Sequence, residues 1–301
     1  MKTFFKFLPF LVASFFSFPA AAALNVFACE PEWAALAQEL GGDKVAAVSA
    51  TTALQDPHRI EARPSLIARI RSADLVICSG SELEIGWLPL LFTQSGNGRI
   101  QPGTPGFIEA SQYAVKLEVP RVIDRALGDI HPGGNPHIHL DPRNIARVGS
   151  VIAERLAEID RANAEFYGKR AEDFSRRWQA ALARWEARAA PLKGVAVIGY
   201  HKDMSYFINW AGMREVGSLE PKPGIPPTPS HLAELVERMK RNPAKVIIYS
   251  AYNNPRAAEF LSERSGIPQV MLPYTVGGTE KAKDLYGLFD DTIERLLKVV
   301  K

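Results

Sequence analysis

The chain is predicted to be an α/β protein: two βα lobes with parallel sheets, joined by one long linker helix. Three observations predict it. Short apolar strands alternate with helices near both ends of the 301 residues, the pattern of parallel βαβ units. Between these regions, Asp141 to Ala190 carries helical periodicity and no strand signal. Finally, one unit occurs twice. Arg63-Pro64-Ser65-Leu66 leads through a helix to Ala73-Asp74-Leu75-Val76-Ile77-Cys78-Ser79, and Thr228-Pro229-Ser230-His231-Leu232 leads through a longer one to Ala244 through Ser250.

Taken in order, residues 1–23 place Lys2 and Lys6 before an apolar run that ends in four alanines, the pattern of a cleaved export signal. Leu24 to Cys29 forms a first strand, and Trp33, Leu36, Ala37 and Leu40 mark a helix up to Gly41-Gly42. Val45–Val48 and Asp74–Cys78 are the next strands of a first lobe, residues 24–160. Val148, Ile152, Leu156 and Ile159 make one helical stripe. Phe166, Phe174, Trp178, Leu182, Trp185 and Ala189 make a second, with arginines and glutamates opposite. The second stripe is read as core packing within a linker helix over 161–190, about 40 Å long at about 1.5 Å per residue. The second lobe, 191–301, has strands at Gly194–Gly199, Lys245–Tyr249 and Val270–Leu272, and a closing helix over Leu285–Val300. Gly217 to Pro229 reads as an ordered loop. Ser65 and Ser230 are placed to cap their helices, and His231 then decorates a surface turn.

Charge narrows the partners. Of 36 basic residues, Lys2 and Lys6 leave with the signal, so 34 face 33 acidic ones. That balance makes no case for nucleic acid or an anionic membrane. Nothing after the signal is long and apolar enough to span a bilayer, so the mature chain is expected to be soluble and exported, and a monomer is expected. Two cysteines, Cys29 and Cys78, are too few for a disulfide scaffold; a single bridge and two buried thiols both remain open.

Half of the six histidines lie in Ile130–Pro142, IHPGGNPHIHLDP, where proline and glycine forbid regular structure. Imidazole is the commonest protein metal ligand. His58, in Gln55-Asp56-Pro57-His58, follows the second strand; His137 lies in the histidine-rich loop; His201 directly follows Val197–Tyr200. Parallel α/β sheets bind ligands beyond the carboxyl ends of their strands. Two histidines from the first lobe and one from the second would thus meet in the interlobe cleft.

These residues also carry a resemblance. Asp56-Pro57-His58 with Glu61 and Pro64-Ser65, Ala73–Val76 through Gly80–Glu84, Asn135-Pro136-His137 before Leu140-Asp141-Pro142, and Gly199-Tyr200-His201 before Tyr206-Phe207 and Gly212 resemble the zinc and manganese substrate-binding proteins of bacterial ABC transporters over nearly the whole mature chain. The resemblance implies two α/β lobes joined by one long helix. It also implies His58, His137 and His201 as metal ligands, a periplasmic location and an ABC permease as partner. Three histidines indicate Zn2+ as the transported ion ahead of Mn2+, which favours oxygen ligands. The family usually has an aspartate near Pro273-Tyr274-Thr275, where none is acidic here, so a fourth ligand is left to water, Glu280, Asp284 or a loop histidine. His131 is a candidate for guiding the ion, and His139 is read as packing. Two other classes compete: a zinc hydrolase on the same histidines with Glu61 or Glu280 as base, and a two-lobed binder of a metal chelate or other organic ligand.

Overall fold

The computed structural model describes residues 22–300; the export-signal reading falls almost entirely outside them. The first lobe runs β1 (Leu24–Ala28), α1 (Pro31–Gly41), β2 (Val45–Ser49), α2 (Pro64–Arg71), β3 (Leu75–Cys78), α3 (Leu88–Ser95) and β4 (Phe107–Glu109). Two helices follow, α4 (Pro142–Ile159) and α5 (Ala164–Ala189). The second lobe runs β5 (Ala196–Gly199), α6 (Ser205–Trp210), β6 (Arg214–Ser218), α7 (Pro229–Arg241), β7 (Val246–Ser250), α8 (Arg256–Ser265), β8 (Gln269–Leu272) and α9 (Leu285–Val299).

Both sheets are parallel and built to one plan, β2-β1-β3-β4 and β6-β5-β7-β8. The repeat seen in the sequence is therefore a repeat of topology. The central strands β3 and β5 are buried at every residue, which explains their continuous apolar runs. Edge strands β4 and β6 escaped the sequence reading. The first is three residues long, and the second opens on Arg214-Glu215 and shifts register opposite Val197 and Ile198. As a result Gly217 and Ser218, read as loop, end a strand.

The linker is an α-helix over Ala164–Ala189 with single 3₁₀ turns on either side, Arg161–Asn163 and Ala190–Leu192. Its aromatic stripe packs as expected. Phe174 stacks on Trp178, and Trp178 and Trp185 meet Tyr286 and Phe289 of α9. Each indole N–H finds an acceptor, Trp178 on the Pro142 carbonyl at 2.8 Å and Trp185 on Asp290 at 3.1 Å, as buried indoles require. One apolar core runs through both lobes along this helix, from Val26 and Leu36 to Phe289 and Leu296, and each sheet covers a smaller core on its other face.

Two local expectations are corrected. Ser65 and Ser230 do not cap; each follows a proline at the first helical position, which is preset for helix. The α7 cap is Thr228, whose hydroxyl accepts from the His231 N–H at 3.3 Å, and α2 has no side-chain cap. His231 is more than decoration, because its Nε2 lies 2.9 Å from the Ser218 carbonyl and ties α7 to the end of β6. Cys29 and Cys78, at the ends of neighbouring strands β1 and β3, form a disulfide. Among the described residues no helix is long and apolar enough to cross a membrane.

Candidate metal centre

Three chain segments carry His58, His137 and His201 to one place, and a ligand atom of each lies within 4.8 Å of the other two. Each segment is locally fixed. At Asp56-Pro57-His58, Asp56 Oδ1 accepts from the His58 backbone N–H at 3.0 Å and the Pro57 carbonyl accepts from Trp87 Nε1 at 2.9 Å. At Asn135-Pro136-His137, Asn135 Oδ1 accepts from the His137 N–H at 3.0 Å. The Asn135 amide donates to the Lys202 carbonyl of the other lobe at 2.7 Å. His201 sits just past β5, at the carboxyl rim.

Every ring has a partner on Nδ1. His58 Nδ1 is 2.8 Å from Asp56 Oδ1, His137 Nδ1 is 2.8 Å from Tyr274 Oη and His201 Nδ1 is 2.7 Å from Glu220 Oε2. Such partners set the tautomer and aim the ring. The carboxylates of Asp56 and Glu220 only accept, so the neutral forms of His58 and His201 carry their proton on Nδ1 and present a lone pair at Nε2. His137 Nε2 is buried with no hydrogen-bond partner, which normally signals a missing ion or water. The donor set suits zinc, whose usual ligands include neutral imidazole.

Proton affinity separates His137 from His201. Burial, with His58 and His201 alongside, pushes His137 well below its usual range, so this ring is neutral and ready to bind. Burial also presses on His201, but the Glu220 hydrogen bond and the charges of Asp203, Glu220 and Asp56 outweigh it and hold its pKa above the ordinary value. Asp56 is correspondingly held low by His58 despite its burial.

The remaining candidates fall elsewhere. His139 is fully buried between Glu32 Oε1 at 3.0 Å and the Tyr274 carbonyl at 2.9 Å, apart from the group of three histidines. Asp284 caps α9 through the Gly287 N–H at 2.7 Å, and Glu280 is exposed; neither joins the histidines. Glu61 is likewise exposed and outside the group. His131 does approach, with its Nε2 3.3 Å from His58 Nε2, and burial beside His58 lowers its pKa to about 4. The sequence reading missed Tyr274 and Glu220 as orienting groups. Tyr274 is 137 residues from the ring it holds, and no local pattern signals such a pair.

Two like lobes braced by one helix, with imidazoles from both facing one another between them, define a two-lobed binding protein whose cleft presents nitrogen donors. A family model described as "Zinc-uptake complex component A periplasmic" matches residues 26–299, and the chain belongs to that family. It is 24% identical over 247 residues to the high-affinity zinc uptake system protein ZnuA of Yersinia pestis, covering 76% of each chain. To the metal ABC transporter substrate-binding lipoprotein ScbA of Streptococcus cristatus it is 23% identical over 289 residues, covering 92% of this chain and 88% of that one. To the manganese ABC transporter substrate-binding lipoprotein PsaA of Streptococcus anginosus it is 22% identical over 266 residues, covering 87% and 83%. A crystal structure of ZnuA superposes with a TM-score of 0.78 at 20% identity, over 93% of this chain and all of that one. At such identity the likeness establishes the fold.

Proposed function

We propose that this chain is a periplasmic substrate-binding protein that captures Zn2+ with His58, His137 and His201 and delivers it to an ABC permease. The observation that carries the reading is the unpartnered, buried Nε2 of His137, set among two further imidazoles whose Nδ1 atoms are already engaged. No carboxylate belongs to that group of three, so the donor set leans to zinc over manganese. A fourth position is left to water or to a neighbouring loop residue. Two exposed carboxylates, Glu61 and Glu280, offer no placed general base, which supports transport over hydrolysis. Release is built in, because the ligands come from both lobes and a small lobe movement separates them.

The test is metal titration of the mature chain with Zn2+ and Mn2+, repeated on His58→Ala, His137→Ala and His201→Ala. One Zn2+ per chain, bound more tightly than Mn2+ and weakened in each variant, is expected. Unchanged zinc binding in all three ends the reading.

A further inference from the structure

The chain has more concave surface beside the histidines than an ion uses. The cavity of about 210 Å³ that reaches His58 and His201 shares Tyr200, Pro226 and Asn254 with a larger one, of about 480 Å³, over α7 and α8. Shared walls make the two one trough. It starts at two of the imidazoles, passes Tyr200 and Pro226, and ends against Leu232, Arg256 and Phe260. A zinc ion, with bonds of about 2.0–2.1 Å, has no use for the outer part. A concavity of a few hundred Å³ with mainly apolar walls and a few polar groups is the form of a small-molecule site.

Local chemistry fixes the walls. Tyr200 directly precedes His201, so the middle of the trough is built on the same turn as a proposed ligand. Prolines at 221, 223, 226, 227 and 229 restrict the loop along one side. Its Gly224 N–H donates to Glu220 Oε2 at 2.9 Å, and its far end becomes the cap of α7 at Thr228. Across the trough, Asn254 Oδ1 accepts from the Arg256 N–H at 3.1 Å and sets the start of α8. The Arg256 side chain is exposed and, among the described residues, in no ion pair. Phe260 keeps 36% of its surface in solvent, apolar area that a ligand can cover. The trough therefore has metal donors at its inner end, an apolar middle and a guanidinium at its outer end.

We propose that the cleft takes its ion as a complex with a small elongated amino acid. An α-amino carboxylate head sits on the metal, an apolar or aromatic body lies along Tyr200, Pro226 and Phe260, and a carboxylate tail meets Arg256. The proposal rests on the triad reading, because the head needs a metal held by His58, His137 and His201. On binding, the ammonium of the head releases one proton to solvent, and its nitrogen and one carboxylate oxygen join the three imidazoles. Zinc accepts five donors as well as four. The protein supplies three donors because the rest belong to the cargo. Two donors on a flexible amino acid hold zinc less firmly than three preset imidazoles, so the amino acid joins the bound ion and does not strip it.

Isothermal titration of the Zn2+-loaded chain with glycine, L-phenylalanine and 4-carboxy-L-phenylalanine tests this, since all three carry the same chelating head. The benzyl group is expected to tighten binding by about ten-fold over glycine, the scale for an aromatic side chain partly withdrawn from water. The tail carboxylate should add roughly three-fold, the scale of an exposed ion pair. Phe260→Ala should bring phenylalanine to the level of glycine, and Arg256→Gln should bring 4-carboxyphenylalanine to the level of phenylalanine. Equal affinities for the three overturn the proposal, as do binding that persists without Zn2+ and loss of Zn2+ from the chain to the amino acid. If either variant, folded by circular dichroism, leaves its ratio unchanged, the assignment of that part of the trough is overturned. A parent chain that binds no Zn2+ before any amino acid is added fails the triad reading instead, a separate result.

Discussion

The two lobes share one strand order yet do different work at the site. The first supplies His58 and His137, and its floor is cross-linked: the Cys29–Cys78 disulfide joins β1 to β3, and Glu30 and Glu84 lie buried beside it. Burial and mutual repulsion push Glu30 well above its usual range, and burial lifts Glu84 to about 7, so the floor carries protonated acid rather than paired charge. The second lobe supplies only His201, but it brings ionisable groups that act on the ligands. Glu220 holds His201, and Tyr274 reaches across to His137. The first lobe orients one of its own histidines through Asp56, whereas the second orients its own through Glu220 and one of the first lobe's through Tyr274. Two copies of one fold can divide a binding site in this way because strand order sets where the loops emerge, not what they carry.

Removing the staple breaks the comparison most severely. The bridge closes a separation of 49 residues, and constraining a loop of that length in the unfolded chain stabilises by about 4 kcal/mol. Reduction, or Cys29→Ala with Cys78→Ala, should therefore lower unfolding stability by about that much in denaturant titration without metal. No cysteine equivalent exists in the second lobe. If stability stays within error after reduction, the first lobe owes its stability to packing alone.

Glu220→Gln attacks the second lobe's contribution. Zn2+ must displace the proton that Glu220 helps His201 retain, so apparent affinity is expected to fall as pH drops through a pKa lying above the usual 6.5 or so. His137 is held below that range by burial and remains neutral throughout. The glutamine amide removes the charge, so the break in the pH profile should move to lower pH. Above the break, affinity should fall about 10–100-fold, as when other outer partners of metal-bound histidine are lost. Parent and variant curves then converge toward acid pH. A break that stays where it was would mean that Glu220 does not control His201.

Much of this was legible in the chain because its signals are local. The apolar runs of β3, β5 and β7 and the periodicity over α5 announce themselves within a few residues. So do the three histidines of the proposed site, since each follows a strand or a Pro-bearing turn. What was not legible is long-range or too short to carry a period. β4 has three residues. Glu32 meets Thr275 across 243 positions. Asp284 looked available for the site, but the first turn of α9 claims its carboxylate. The position expected to hold a ligand aspartate instead holds Tyr274, and only the assembled cleft shows that its oxygen reaches Nδ1 of His137.

Tyr274→Phe is the finest cut, because Tyr274 is the one orienting group that crosses the cleft: Asp56 and Glu220 each hold a histidine of their own lobe. The phenol oxygen lies 2.8 Å from His137 Nδ1 in a fully buried setting, and burial keeps the phenol itself protonated. Phenylalanine keeps the ring packing against His137 and His139 and leaves the backbone carbonyl to His139, so only one hydrogen bond is lost. A neutral acceptor polarises imidazole less than a carboxylate does, so Zn2+ affinity should fall by about ten-fold, the lower end for outer partners. The break in the pH profile should not move, since Tyr274 carries no charge to lose and His201 keeps Glu220. The ion should also leave faster, because the contact that aims a first-lobe ligand from the second lobe is gone. Retention of full affinity and an unchanged dissociation rate would show that the Asn135 turn alone orients His137.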